Sequence, residues 1–322
     1  MSAPRDHGGG LDAAIAVHGG ARADWMDLST GINPHAYPVP RIPHEAWAEL
    51  PDECACRALE HAARAFWDVP DVAAALAAPG LSALISRLPG VLPPQRVRID
   101  MPTYNEYAAA FSAAGWEICE ASGKIAAEIR VIVHPNNPTG DFWIPDRDKP
   151  AGKAGPHRIM VIDESFCDLA PARSLIHMAR QPGVLILKSF GKFWGLAGLR
   201  LGFAFGDPAV ITPLREALGP WPVSGPALSI ATRALADRVW AEQMRARLAR
   251  DAARLNILMV RHGAKPVGGT DLFRLYEVPS ARQWQDSLAG HRIWSRIFPY
   301  SDTWLRLGIP GADGWPRLEA AL

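Results

Sequence analysis

Several short runs in this chain are apolar and rich in β-branched residues, and helical patterns separate them. They lie at residues 129–133, 159–162, 184–187 and 199–205. Runs apolar on both faces suit strands of a sheet that is covered on both sides, the mark of an α/β domain. The first three stop on polar clusters: His134-Pro-Asn-Asn-Pro-Thr-Gly140, Asp163-Glu164-Ser165 and Lys188-Ser-Phe-Gly-Lys192. In an open α/β sheet, ligands bind beyond the carboxyl ends of the strands. The polar residues therefore stand where a site is expected.

At 322 residues the chain exceeds what one small core requires, so one large or two modest domains are expected. Residues 226–263, rich in Ala, Arg and Leu, read as one long helix or two abutting ones, with Gly263 as the stop. A second, shorter set of strand-like segments follows, including 272–278 and 304–309. The shift predicts a large α/β domain over 41–226 and a small domain combining the N-terminal arm, 1–40, with 227–322. No internal repeat is visible, and only the alanine-rich stretch 72–78 reads as low-complexity.

Acidic and basic residues nearly cancel, 33 against 34, and form no like-charge block. Neither nucleic acid nor a membrane surface is an expected partner. Residues 1–20 lack an apolar core flanked by basic residues, and no apolar run is long enough to span a bilayer. The expectation is a cytoplasmic protein without a signal peptide. Cys54, Cys56, Cys119 and Cys167 form no CxxC pair and have no histidine at ligand spacing, so they read as reduced thiols rather than a metal site.

Lys192 lies in Ser189-Phe-Gly-Lys-Phe-Trp-Gly-Leu-Ala-Gly-Leu-Arg200-Leu-Gly. Taken alone it is a solvated loop lysine beside a glycine-rich turn. The small residues around it also suit the approach of a bulky planar ligand. Taken alone, Asp163 caps a helix, Asn137 sits in a turn, and Tyr104 of Pro102-Thr-Tyr-Asn-Glu-Tyr107 is a core or surface tyrosine. Gly80-Leu-Ser-Ala83 opens an apolar helical stretch, and a glycine turn entering a helix presents unpaired N–H groups that bind phosphate readily.

The order and spacing of these motifs, from Gly80 through Tyr104, Asn137 and Asp163 to Lys192 and Arg200, resemble fold-type I pyridoxal-phosphate (PLP) enzymes, the aspartate aminotransferase superfamily. The resemblance covers nearly the whole chain. It implies an α/β fold with a large, mostly parallel sheet domain and a small α/β domain, PLP as cofactor, and a homodimer. It implies that Lys192 bonds the cofactor and is catalytic, and that Asp163 keeps the pyridine nitrogen protonated. Asn137 would touch the ring oxygen and Tyr104 would stack on the ring. The phosphate would go to the N–H groups of Leu81 and Ser82, to Ser189 and to Arg200, whose guanidinium fork suits that task better than an ammonium. Two positions depart from the pattern: Gly191, where many relatives carry Ser or Thr, and Phe166, where many carry Tyr.

The two ends of the chain carry the substrate information. His7-Gly-Gly-Gly10, followed by Asp27-Leu-Ser-Thr-Gly-Ile-Asn-Pro34, resembles the opening of the L-threonine-O-3-phosphate decarboxylases of cobalamin biosynthesis. That resemblance implies that His7, Gly8 and Gly9 help bind the substrate phosphate, successive glycine N–H groups forming an anion nest. Arg306, in Trp304-Leu-Arg-Leu-Gly, matches the family's grip on the substrate α-carboxylate. Arg296 matches a second substrate-side arginine of the histidinol-phosphate branch. The implied reaction turns L-threonine O-3-phosphate into (R)-1-amino-2-propanol O-2-phosphate and carbon dioxide. Gly31 departs from an asparagine of this branch, and Leu50 from a tyrosine that often reaches the partner's cofactor phosphate. Histidinol-phosphate aminotransferase is the first alternative. A non-catalytic binding module on the same fold is the second, and the retained Lys192 and Asp163 argue against it.

Overall fold

The computed structural model describes residues 7–93, 96–119, 127–144 and 159–322. The first six residues, on which part of the expectation of no signal peptide rests, lie outside them. The chain forms two compact units. One holds Tyr37–Asn137 and Asp141–Ala241; the other holds the described residues up to Ala36 together with Pro138–Gly140 and Glu242–Leu322.

The larger unit is built on a seven-stranded sheet. Its strands are β1 (Ala74–Ala78), β2 (Arg96–Ile99), β3 (Glu117–Cys119), β4 (Ile129–Val133), β5 (Ile159–Asp163), β6 (Val184–Ser189) and β7 (Gly202–Gly206). Their spatial order is β1-β7-β6-β5-β4-β2-β3. Only β7 runs against its neighbours β1 and β6; the other pairs are parallel. Strands β4 and β7 are buried along their whole length, as the unbroken apolar runs require. Arg130, the charged residue within β4, is compensated by a 2.8 Å bond from its Nη2 to Asp100.

The alanine-rich stretch, expected to be low-complexity, is a strand. Residues of β1 pair with β7 from Ala74 opposite Gly206 to Ala78 opposite Gly202. Its lack of bulk is matched by Phe203 and Phe205 on β7, against which the Trp67 ring packs at 5.1 and 5.8 Å.

Helices Leu81–Val91, Asn105–Ala113 and Pro208–Leu218 bury Leu84, Leu88, Tyr107, Phe111 and Leu214 in one core with Val97, Val131 and Leu185 of the sheet. Helices Glu53–Trp67 and Gly225–Ala236 pack on each other. That packing draws the unit boundary past residue 226, the expected limit, to Ala241. At the other end Tyr37 already belongs to this unit, its N–H bonded to the Trp194 carbonyl at 2.9 Å. Of the two expected arrangements the chain forms the abutting pair, Gly225–Ala236 and Arg238–Arg261. Asp237 divides them, its Oδ1 accepting the Trp240 N–H at 2.9 Å as a cap for the second. Gly263 follows the second helix at φ +88°, the left-handed conformation expected of a stop.

The smaller unit holds an antiparallel sheet of β8 (Lys265–Thr270), β9 (Phe273–Glu277), β10 (Arg296–Phe298) and β11 (Ser301–Gly308), in the order β10-β11-β9-β8. Leu255 and Met259 of the second helix share its core with Tyr276, Leu305, Leu307, Trp315 and Leu318. Met26–Asp27 pairs in parallel with Ile293–Trp294 and so draws the N-terminal segment into this unit. Pro138–Gly140 joins it too: the Gly269 N–H donates to the Thr139 carbonyl at 2.7 Å. A Cβ on Gly268 would fall 2.1 Å from that same carbonyl oxygen, so only glycine allows the approach.

Candidate active site

Asp163 is the last residue of β5 and is buried. Its Oδ1 accepts the Ser165 N–H at 2.8 Å and the Ser165 hydroxyl at 2.5 Å, while its Oδ2 accepts the Tyr107 hydroxyl at 2.8 Å. Burial pushes its carboxyl above the ordinary range, and the bonds from Ser165 and Tyr107 and the charge of Lys192 oppose that push. A carboxylate held in this way favours a further N–H donor or cation.

Two lysines lie four residues apart in this region, and their surroundings separate their roles. Lys188, in β6, is fully buried, with its Nζ 2.5 Å from Glu164 and 3.8 Å from Asp168. Burial works against its charge, but Glu164 and Asp168 outweigh burial and hold its pKa above the usual value. Glu164 is lowered in turn: Lys188 overcomes the burial penalty, aided by the Ser174 hydroxyl at 2.6 Å. Asp168 also accepts the Trp67 indole N–H at 2.7 Å. Lys192 instead lies half-buried at the wall of a cavity, its ammonium 5.6 Å from the centre of the Phe166 ring.

That cavity measures about 190 Å³. Every residue assigned to the cofactor lines it: Gly80, Leu81 and Ser82, Tyr104 and Asn137, Asp163, and Ser189, Lys192 and Arg200. One end suits a phosphate. Helix Leu81–Val91 begins there, and the first N–H groups of a helix have no partner within it. Gly80 caps this helix at φ +83°, and a Cβ on it would lie 2.7 Å from Arg200 Nη2. Glycine therefore serves both the turn and the guanidinium. A Cβ at Gly191 would lie 3.0 Å from the Ala197 Cα, which gives a physical reason for the missing hydroxyl.

Tyr104 caps the helix Asn105–Ala113 and meets Tyr107 edge-on at 6.3 Å between ring centres. Burial, with Glu106 and Asp163 nearby, pushes its hydroxyl up to about 12, so it stays neutral. Of the neighbouring asparagines, Asn136 ties two loops together. It accepts from the Thr103 hydroxyl at 2.6 Å and donates to the Pro102 carbonyl at 3.0 Å. Asn137 is the one that lines the cavity.

The residues expected on the substrate side lie in the smaller unit. Arg306, on β11 and 5% exposed, donates from Nη2 to the Ser29 carbonyl at 2.7 Å and lies over the Phe273 ring. Arg296 stands opposite Arg306 in the β10–β11 register, over the Phe298 ring. His7 is exposed at the start of the arm. The Gly9 N–H donates to Ser29 Oγ at 2.7 Å, which corrects the expected nest: that N–H anchors the arm instead of facing an anion. Gly8 lies so close to Ser29 that a Cβ would fall 2.4 Å from its carbonyl oxygen.

Residues 24–313 match the family described as Aminotransferase class I and II. The chain belongs to the aminotransferase class I and II family. It is 39% identical over 343 residues to a threonine-phosphate decarboxylase of a Sinorhizobium species, covering 100% of this chain and 98% of that protein. It is also 39% identical over 327 residues to a threonine-phosphate decarboxylase of Pseudomonas aeruginosa, covering 98% of this chain and 97% of that protein. Among solved structures it resembles the histidinol-phosphate aminotransferase from Sinorhizobium meliloti in complex with pyridoxal-5'-phosphate. The TM-score is 0.82 at 17% identity, over 97% of this chain and 93% of that one. The fold is that of fold-type I PLP-dependent enzymes, in agreement with the motif spacing.

Beside this cavity, Tyr107 carries no motif signal of its own, although its place three residues after Tyr104 at a helix start puts both near one face. Ser165 was visible only as part of a polar cluster. The Lys188–Glu164–Asp168 network gave no signal, because burial of a lysine is a tertiary property. Ser29 lies within the Asp27–Pro34 motif, where its residue type alone suggests no role, and its two long-range bonds supply one.

Proposed function

We propose that this chain is a PLP-dependent decarboxylase that converts L-threonine O-3-phosphate to (R)-1-amino-2-propanol O-2-phosphate, a step of cobalamin biosynthesis. The observation that carries this reading over transamination is the end-to-end likeness to two threonine-phosphate decarboxylases, at 39% identity each. The cavity fits the cofactor: it has a lysine, a buried carboxylate, an aromatic wall and an anion-binding helix start. Lys192 would bond the cofactor, Asp163 hold the ring nitrogen, Asn137 the ring oxygen and Tyr104 the ring face. Leu81, Ser82, Ser189 and Arg200 would hold its phosphate, with Gly80 making room. When bound, PLP supplies an electron sink for the pair left at the substrate Cα as carbon dioxide departs.

The protein's own residues do the rest. Arg306 takes the substrate carboxylate and orients the bond that breaks. Its fork geometry suits a carboxylate, and its burial strengthens the pairing. Arg296 stands opposite Arg306 in register and adds a second cation on the substrate side. His7 and Gly8 of the arm hold the substrate phosphate, while the Gly9 N–H ties that arm to Ser29. The amine of Lys192 delivers the proton that replaces carbon dioxide at Cα.

The same reading makes the enzyme a cytoplasmic homodimer. No helix among the described residues is long and apolar enough to cross a membrane. On the larger unit Leu50 and Trp221, 67% and 57% exposed, line adjoining hollows that share Pro51, Asp52 and Leu228. Such apolar exposure suits a partner surface. Sedimentation equilibrium tests it, a monomer being the contrary result. The reaction itself is tested by carbon dioxide release with no 2-oxo acid present.

A further inference from the structure

Ser29 stands between the N-terminal arm and Arg306. Its hydroxyl donates to Asp27 Oδ1 at 2.5 Å, and its N–H donates to the same oxygen at 2.8 Å. With its proton committed to Asp27, Oγ is left as an acceptor, and the Gly9 N–H donates to it at 2.7 Å. The Ser29 carbonyl accepts from Arg306 Nη2 at 2.7 Å. One residue, 1% exposed, thus binds the arm through its side chain and Arg306 through its backbone. Glycines let these segments close up: a Cβ on Gly8 would fall 2.4 Å from the Ser29 oxygen, and one on Gly308 would fall 2.4 Å from the Thr30 oxygen.

We infer, resting on the decarboxylase reading above, that Ser29, oriented by Asp27, is a positioning residue that fixes the separation between the phosphate-holding arm and the carboxylate-holding Arg306. It thereby selects substrates by the distance between their two anionic groups. The two bonds are chemically independent. The carbonyl bond to Arg306 survives any side chain at position 29, whereas the arm's bond needs an acceptor oxygen at Oγ. Asp27 matters because it takes the hydroxyl proton and turns that oxygen toward Gly9.

The test uses the holoenzyme and two ligands, O-phospho-L-threonine and O-phospho-L-homoserine, whose phosphate is one methylene further from Cα. Ser29→Ala is expected to raise KM for O-phospho-L-threonine about tenfold, as the loss of one hydrogen bond dictates, with kcat unchanged. The binding preference for the shorter ligand over the longer one should shrink. Asp27→Ala should do the same and Asp27→Asn, which keeps an acceptor oxygen, should restore the wild-type values. That pair carries the test where Ser29→Ala fails to fold. Unchanged KM and preference in Ser29→Ala and Asp27→Ala would overturn the positioning role and leave the decarboxylase reading standing. An equal loss for both ligands, with no rescue by Asp27→Asn, would overturn it too, because that is what general loosening produces. Absence of carbon dioxide release by the wild type would instead overturn the decarboxylase reading, and the role of Ser29 with it.

Discussion

Tyr107 donates its hydroxyl proton to Asp163 Oδ2 across 2.8 Å, and both side chains are buried. Burial and the neighbouring Asp163 raise the Tyr107 pKa well above its ordinary value, so the hydroxyl remains a donor throughout the working range. The bond favours the ionised form of Asp163, the form that can hold a protonated ring nitrogen. Tyr107→Phe removes it and moves the Asp163 pKa further up. The acid limb of PLP binding should then shift to higher pH, with affinity on that limb about tenfold weaker. Equilibrium titration of the apoprotein with PLP across the acid range measures this, and an unmoved limb would deny Tyr107 the role.

Lys188→Met should leave Glu164 and Asp168 buried without their cation. Breaking a buried pair from one side costs about 3–5 kcal/mol, to be read from urea unfolding. The variant that still folds should retain bound cofactor through dialysis, whereas Lys192→Ala should lose it at little cost in stability. The reverse pattern would exchange the two lysines' roles. The wild-type pair also sets a pH window. Glu164 is lowered, so its contribution is complete above the ordinary carboxylate value and is lost as pH falls through the lowered one. Lys188 is raised, so its contribution is complete below the ordinary lysine value and is lost as pH rises through the raised one. Stability from this pair should be flat through neutrality and fall at both extremes.

Gly80→Ala places a Cβ 2.7 Å from Arg200 Nη2 and forces a φ of +83° on an L-residue. With ψ at 159° this is a region that glycine alone adopts readily, and the backbone conformation alone costs about 1–3 kcal/mol. PLP should bind more weakly, and inorganic phosphate should protect the variant from thermal unfolding less than it protects the wild type. Equal protection would remove the phosphate from this end of the cavity.

The residues that line the cavity are legible in the sequence because their signals are local. A glycine before a helix, an aspartate ending a strand and a lysine between Ser189 and Arg200 each announce themselves within a few residues. What was hidden depends on distance along the chain. Tyr107 meets Asp163 at a separation of 56 residues, and Arg306 meets the Ser29 carbonyl at a separation of 277. A backbone acceptor carries no mark of this in the sequence. Strand β1 is hidden for another reason: alanine has weak strand preference, and only pairing with β7 makes it a strand. The unit boundary moved because the face that helix Gly225–Ala236 buries is decided by Glu53–Trp67.

The most direct measurement is the balance of products formed from O-phospho-L-threonine by purified holoenzyme, with no 2-oxo acid added. Decarboxylation predicts sustained turnover, with one carbon dioxide and one 1-amino-2-propanol phosphate for each substrate consumed, abolished in Lys192→Ala. Turnover that starts only when 2-oxoglutarate is supplied, without carbon dioxide, would contradict it and make the protein an aminotransferase.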